Sequence, residues 1–126
     1  MLRSRLSSGE EAVTIENQLV GTTTILRVHG TLTAKVGERG IRELIREAVA
    51  GGLRTVVVNL EGATAIDSSG VSDLASGHMV LASHGGALKL CCLSKKLKDV
   101  FVVTRLDAVF ETYETEAVAL ASAESK

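Results

Sequence analysis

The residues of this chain best suited to chemistry are four consecutive ones in its middle: Asp67, Ser68, Ser69 and Gly70. They come just before an apolar pattern that predicts a helix over Val71–Ser83. A hydroxyl at a helix N-terminus faces backbone N–H groups that lack intrahelical partners, and it lies at the positive end of the helix dipole. Such a position accommodates a phosphate well, so these residues indicate a phosphorylation switch.

A second interpretation of the same residues is purely structural. Asp and Ser before a helix commonly act as N-caps, which stabilise the helix by about 1 kcal/mol. The two interpretations are compatible if Ser69 caps the helix and Ser68 accepts the phosphate.

Catalysis by the serine is not favoured. A serine hydrolase commonly places its nucleophile in a Gly-x-Ser-x-Gly turn, and Ser68 has no glycine before it. The candidate base, His84, lies at the far end of the predicted helix, roughly 20 Å away at the rise of an α-helix. We therefore expect a protein that is not an enzyme.

The histidines and cysteines do not predict a metal or redox site. His29, His78 and His84 are far apart in the sequence, and Cys91 and Cys92 are adjacent rather than at ligand spacing. We expect His78 to be a packed, hydrogen-bonded histidine and both thiols to be small core residues of a strand. Free thiols favour a reducing, cytoplasmic location, and no cofactor is expected.

Composition bounds the possible partners. The chain has 126 residues, 45% of them hydrophobic and 23% charged, which is typical of one globular domain. Its net charge of −1 and its three aromatic residues argue against direct nucleic-acid binding. The lysines at 95, 96 and 98 are expected to form a solvated helix face. The chain has no signal-peptide pattern and no apolar run long enough to span a membrane.

The first half of the chain predicts a β-hairpin and a helix. The polar residues 1–10 are expected to form a flexible tail, and 11–122 a single domain. Alternating apolar residues predict strands over Ala12–Ile15 and Thr23–His29, joined at Gly21 and ended by Gly30. Helical spacing of apolar residues then predicts a helix over Val36–Val49.

The second half alternates strands and helices. The apolar run Thr55–Leu60 predicts a central strand that is covered on both faces and followed by a short loop. The predicted helix after it would bury the face formed by Val71, Leu74, Ala75, His78 and Ala82. The remaining elements are a strand over Ala87–Leu93, a helix capped by Ser94, a strand over Phe110–Tyr113 and a helix over Thr115–Ser122. The order ββαβαβαβα predicts an α/β fold with a mixed, mostly parallel sheet of about five strands and about four helices.

These motifs resemble the STAS domain, and in particular the bacterial anti-sigma factor antagonists (anti-anti-sigma factors). The resemblance rests on three segments: Val28–Thr33 before the first predicted helix, Ile66–Val71 after a strand that ends in Val-Asn-Leu-Glu, and Gly85–Leu90 at the start of the next strand. It covers roughly residues 11 to 121.

The resemblance implies a regulator of sigma-factor-dependent transcription. In that family a partner that is both anti-sigma factor and serine kinase phosphorylates the first serine after the aspartate, here Ser68. The unphosphorylated form binds this partner and releases a sigma factor, the phosphorylated form cannot bind, and a phosphatase resets the switch. The implied partner-binding residues are Asp67, Ser69, Gly70, Val71, Thr31 and Thr33. Gly70, lacking a side chain, would let the kinase approach the serine closely.

The chain departs from the family pattern at three positions. Thr31 and Thr33 stand where the family commonly has acidic residues, and Asp73 lies in the first turns of the helix. These departures leave two other functions open: a STAS subunit of a transport complex, such as a lipid transporter, that docks on an ATPase, or a module that senses a nucleotide or another ligand. The oligomeric state is not predicted.

Overall fold

The computed structural model describes residues 14–33 and 40–124. Three parts of the sequence predictions lie outside these ranges: the tail over 1–10, the first two residues of the strand Ala12–Ile15, and the start of the helix at Val36. The described strands are β1 (Thr14–Val20), β2 (Thr23–Leu32), β3 (Thr55–Ile66), β4 (Ala87–Cys91) and β5 (Glu111–Tyr113). The described helices are α1 (Ile41–Ala50), α2 (Ser68–Ser83), α3 (Lys95–Val103) and α4 (Glu116–Glu124). This order confirms the predicted α/β architecture.

The five strands form one mixed sheet in the order β1-β2-β3-β4-β5. β1 and β2 form an antiparallel hairpin at the edge, with Gly21 at φ +61° in its tight turn, and the other neighbouring strands pair in parallel. The predicted mostly parallel sheet with an antiparallel edge hairpin is therefore confirmed.

The core lies on both faces of β3. Alternate residues of the strand point to opposite faces. Val56 and Val58 pack with residues of α1, α2 and α3, whereas Val57 packs with Ile25 and with Ala119 of α4. Residues 56–60 are all buried, which confirms a central strand covered on both sides.

β2 and β3 both run further than the sequence predicted. Gly30 does not end β2, which continues to Leu32, and no loop follows Leu60, because β3 continues to Ile66. Gly30 has φ +91° and lies between two irregularities in the pairing of β2 with β3, so the glycine bends the strand instead of terminating it. We call the paired segments 29–32 and 62–66 the β2–β3 extension, since the pairing of β3 with β4 stops at Asn59.

α2 begins three residues before the predicted start, and its buried face also differs from the prediction. The buried residues are Gly70, Leu74, Gly77 and Leu81, whereas Ala82 is exposed and Val71 is only half-buried. Hydrophobic spacing missed this face because two of its four positions are glycines. Gly77 leaves room for the Ile45 side chain of α1, because a Cβ atom at position 77 would overlap that side chain.

The other differences concern element ends. β4 stops at Cys91 because Cys92 adopts φ +64°, so only the first thiol lies in the strand. Both cysteines are free, and Cys91 is buried. α1 begins at Ile41, and a short 3₁₀ helix over Leu106–Ala108 was not predicted.

His78 packs as expected, but one of its two ring nitrogens has no hydrogen-bond partner among the described residues. Its ring meets the edge of Phe110 at a centroid distance of 5.7 Å. Its Nδ1 atom is buried and makes no hydrogen bond with the described residues. The prediction of a packed histidine is confirmed, and the hydrogen bond expected of this side chain is not made at Nδ1.

We expect Val57→Asp to unfold the domain or to lower its free energy of unfolding by at least about 3 kcal/mol, because it would bury an unpaired charge. Val57 is fully buried. Chemical denaturation followed by circular dichroism measures the change. Met79→Asp, on the exposed side of α2, is the matched control and should change stability by no more than about 1 kcal/mol. Similar losses for both variants would contradict the burial of Val57.

We expect Gly70→Ala to destabilise the domain by about 1–3 kcal/mol, because the new methyl group would overlap the backbone carbonyl of Leu32. At other positions inside a helix, alanine in place of glycine stabilises the helix by about 1 kcal/mol. The exposed Ser72→Ala variant, in the next turn, is the control and should be neutral. A gain in thermal stability for Gly70→Ala would show that the helix does not lie this close to β2.

Candidate functional site

The first turn of α2 is capped by Asp67. This residue has extended backbone angles, φ −106° and ψ 179°, and its Oδ1 atom accepts a hydrogen bond of 2.9 Å from the N–H of Gly70. The expectation that Ser69 caps the helix is therefore wrong. Ser69 lies inside the first turn, and its hydroxyl donates to the same Oδ1 atom at 2.8 Å.

Thr33 joins the end of β2 to this cap. Its Oγ1 atom lies 2.9 Å from the Oγ atom of Ser69, within hydrogen-bond distance. Hydrogen bonds from Thr33, from the Gly70 N–H and from Ser69 hold the pKa of the Asp67 carboxyl below its ordinary value. The capping carboxylate is therefore ionised at neutral pH, at a position where the helix dipole favours negative charge.

Ser68 differs from its neighbour Ser69. It is the first residue of α2, it is exposed, and its side chain makes no hydrogen bond with another described residue. Ser69 is half-buried and its hydroxyl is engaged with both Asp67 and Thr33. Of the two hydroxyls, only that of Ser68 is presented to a reagent or to another protein without the loss of a hydrogen bond within the site.

The remaining predicted site residues occupy different depths. Gly70 is buried against Leu32, so packing explains this glycine. Thr31 lies within the β2–β3 extension opposite Ala65, and Val71 is half-buried on α2. The structure thus connects Thr33, Asp67 and Ser69 directly, while contact of any of these residues with a partner stays a prediction.

Asp73 interacts with α1. Burial raises the pKa of its carboxyl, and the positive charge of Arg42 opposes that increase while the negative charge of Glu43 adds to it. Both of these charged residues belong to α1. The electrostatic neighbours of Asp73 are therefore on the adjacent helix.

Sequence analysis missed two polar clusters. Lys89 is buried in β4, where its Nζ atom donates to Glu111 at 2.6 Å and lies 5.5 Å from the ring centre of Tyr113. Arg27 forms a two-pronged ion pair with Glu116, at 3.0 and 2.9 Å. A lysine in the middle of an otherwise apolar strand was the only sequence signal for the first cluster.

The Arg27 cluster lines a cleft of about 860 Å³ beside the N-terminus of α4. Its central polar groups bind one another: Glu116 also accepts from Asn59 at 2.7 Å, and Arg27 also donates to Gln18 at 2.7 Å. These contacts fasten α4 to the sheet. They also engage the Arg27 guanidinium and the Glu116 carboxylate, the central charged groups that a ligand in this cleft would meet.

The described parts of the chain support neither a metal site nor a membrane-spanning helix. No group of three histidine, cysteine, aspartate or glutamate side chains there is arranged to hold a metal ion. None of the helices among residues 14–33 and 40–124 has the length and apolar character needed to cross a membrane.

Solved structures share this fold. An anti-sigma factor antagonist from Mycobacterium paratuberculosis matches with a TM-score of 0.78 and 21% sequence identity, over 95% of this chain and 100% of that chain. The anti-sigma factor antagonist SpoIIAA in its unphosphorylated form matches with a TM-score of 0.70 and 25% identity, over 91% of this chain and 100% of the other. SpoIIAA of Bacillus in its phosphorylated form matches with a TM-score of 0.65 and 27% identity, over 88% of this chain and 98% of the other.

The same fold also occurs within a much longer protein. The murine anion transporter Slc26a9 matches with a TM-score of 0.65 and 12% identity, over 86% of this chain but only 19% of the transporter chain. No curated protein matches the sequence significantly. The sequence model of the STAS domain matches residues 14–119, which span all five strands of the sheet. On the fold and on this match, the chain belongs to the STAS domain family.

Proposed function

We propose that this protein is an anti-sigma factor antagonist that binds an anti-sigma factor with serine kinase activity and is inactivated by phosphorylation of Ser68. The observation that carries the proposal is the contrast between the two serines at the start of α2. Ser68 is exposed with a hydroxyl that is not hydrogen-bonded to the described residues, whereas the hydroxyl of Ser69 is engaged with Asp67 and Thr33. The protein would be the substrate of the kinase, act in the cytoplasm and need no cofactor.

The two SpoIIAA structures support a switch that acts at the surface. One form of that protein carries a phosphate and the other does not, yet both match this chain over most of its length. The STAS fold therefore tolerates phosphorylation, and a change in partner binding does not require the domain to unfold. Applied to Ser68, the same reasoning supports an effect of the phosphate on the interface and not on the fold.

The proposed chemistry is phosphoryl transfer from ATP bound to the partner. The Ser68 hydroxyl oxygen would form a bond to the γ-phosphorus, the bond to the β-phosphate oxygen would break with release of ADP, and the hydroxyl proton would pass to a base of the kinase. A phosphatase would hydrolyse the phosphoserine and restore the hydroxyl.

The phosphate would oppose binding through charge. It adds nearly two negative charges beside the ionised carboxylate of Asp67. The positive end of the α2 dipole partly compensates these charges within the domain. An interface that fits the neutral hydroxyl would have to desolvate the phosphate and bring it close to the partner, which costs several kcal/mol unless a cation pairs with it.

Thr31 and Thr33 set the charge that the partner meets. Both are neutral where acidic residues are common in the family, and Thr33 is hydrogen-bonded to Ser69. The proposed docking surface, formed by Thr31, Thr33, Asp67, Ser69 and Val71 around Ser68, therefore has Asp67 as its one carboxylate. We expect its partner to depend less on positive charge than a partner that recognises two further acids.

A subunit of a transport complex is the alternative function, since an anion transporter contains the same fold. The likeness at 12% identity concerns the fold alone, and an accessible serine at the start of α2 has no necessary role in such a subunit. Binding of a charged ligand is less favoured, because Arg27, Asn59 and Glu116 at the centre of the cleft beside α4 are paired with one another.

We expect the protein recovered from its own host to carry one phosphoryl group, about 80 Da, in a fraction that changes between growth and stress conditions. Intact mass followed by peptide mapping should place it on Ser68. Ser68→Ala should remove the modification and leave the fold intact, whereas Ser72→Ala, one turn further along the exposed side of α2, should retain it. Unchanged phosphate incorporation in Ser68→Ala would refute the assignment of the site.

We expect Ser68→Asp to weaken partner binding at least several-fold, because it places a permanent charge at the switch position. Affinity capture with the wild-type chain, followed by mass spectrometry, should enrich a protein with a kinase-type ATPase domain, and titration of that purified protein gives the two affinities. Ser72→Asp is the matched control and should bind within about twofold of wild type. Equal weakening by both variants would indicate a general charge effect and not a switch at Ser68.

A further inference from the structure

β1 lies at the edge of the sheet, and its outer side pairs with no other described strand. Such an edge presents unpaired backbone N–H and C=O groups that can bind another strand. Proteins commonly block such edges with proline, lysine or a bulge, and β1 has none of these: its sequence is TIENQLV and its pairing with β2 is continuous. Its single charged residue, Glu16, lies 3.5 Å from the Nε2 atom of His29.

The sequence of β1 is complementary to itself in one antiparallel register. Opposite residues of an antiparallel pair point to the same face, so a symmetric pairing of two copies must be centred on a residue. With Asn17 at the centre, Ile15 lies opposite Leu19 of the second copy, and Glu16 lies opposite Gln18. All seven residues of the strand are then paired, since Thr14 lies opposite Val20.

The neighbouring registers are worse. Centring the pair on Glu16 would place this carboxylate opposite its own copy, and like charges directly opposite are destabilising. Centring it on Gln18 would place Ile15 opposite Gly21, which belongs to the hairpin turn. Only the register centred on Asn17 combines a full-length pairing with an apolar match and no opposed like charges.

The apolar match would cover surface that the domain leaves open. The Leu19 side chain is among the exposed large hydrophobic residues, at 60% relative exposure. Ile15 is half-buried and packs against the core cluster of α1, α2 and α3. Ile15 and Leu19 are four positions apart along the strand and so share a face. Leu19 of the second copy would therefore extend that same core.

We propose that β1 binds β1 of a second copy of this chain, in the antiparallel register centred on Asn17, so that one sheet continues across both molecules. A single strand pair buries less surface than the roughly 1,200–2,000 Å² of a standard interface, so the dimer is a weak one. The two-fold axis directs the two Ser68 surfaces to opposite ends of the joined sheet and leaves both accessible. The proposal does not depend on the function of Ser68.

Sedimentation equilibrium of the full chain over a wide concentration range tests the association. We expect a monomer–dimer equilibrium that Leu19→Lys weakens at least about tenfold, because it places a charge opposite Ile15 of the second copy. Val103→Lys is the control, since Val103 is 82% exposed on α3, and it should leave the equilibrium unchanged. A wild-type chain that stays monomeric at every concentration overturns the proposal and leaves the edge to residues 1–13 or to a different protein.

Cross-linking tests the register. Asn17→Cys would place two thiols directly opposite each other across the two-fold axis, with Cβ atoms about 4.5–5.5 Å apart, so mild oxidation should give a disulfide-linked dimer in high yield. Val103→Cys and the wild-type chain, which has its native Cys91 and Cys92, are the controls and should stay largely uncross-linked. A dimer that forms in solution but is not trapped by Asn17→Cys uses another surface, and that result also refutes the proposal.

Discussion

The contact between the end of β2 and the first turn of α2 is the constraint on which the site depends. The carbonyl oxygen of Leu32 accepts a hydrogen bond of 3.2 Å from the N–H of Asp67. The same oxygen lies so close to the Cα atom of Gly70 that a Cβ atom there would overlap it. The helix can therefore begin directly at the end of the β2–β3 extension. Because Gly70 packs against the Leu32 backbone, the first turn of α2 is oriented with Ser69 facing Thr33 and Ser68 facing solvent. A packing requirement of the fold thus decides which serine is accessible.

The same arrangement separates the residues that stabilise the helix start from the proposed site of phosphorylation. The cap is formed by Asp67 with Gly70 and Ser69, and none of these hydrogen bonds involves the Ser68 side chain. A modification of Ser68 therefore leaves the capping network in place, and its charge acts mainly on whatever approaches from outside. The dipole of a 16-residue helix ends at this position and favours the added charge. Such a site changes its electrostatics without requiring a change in its fold.

Sequence reasoning recovered the architecture because apolar periodicity and glycines mark most of the element boundaries. It recovered the buried central strand at Val56–Leu60 for the same reason. It failed where a glycine has a role other than ending an element. Gly30 was interpreted as a strand end, and it bends a strand that continues to Leu32. The sequence left Asp67 and Ser69 both possible as the cap, because it shows that a Ser or Asp precedes a helix but not which of them has the extended backbone. The role of Thr33 depends on a contact across 36 positions and is invisible to local patterns.

The order of the strands explains how one small sheet can offer separate surfaces. Sheet order follows chain order, so β2 and β3 lie in the interior of the sheet, and they extend beyond their neighbours to the proposed switch at Ser68. The outer edge of β1 lies one strand away and runs antiparallel to β2, with Thr14 opposite His29 at the base of the extension. A partner on the tip of the extension and a strand on the edge of β1 therefore approach from different directions. The Thr33 hydroxyl is hydrogen-bonded within the helix cap and carries no charge. The charge at the tip of the extension therefore comes from the Asp67 carboxylate and, in the proposed phosphorylated form, from the phosphate on Ser68.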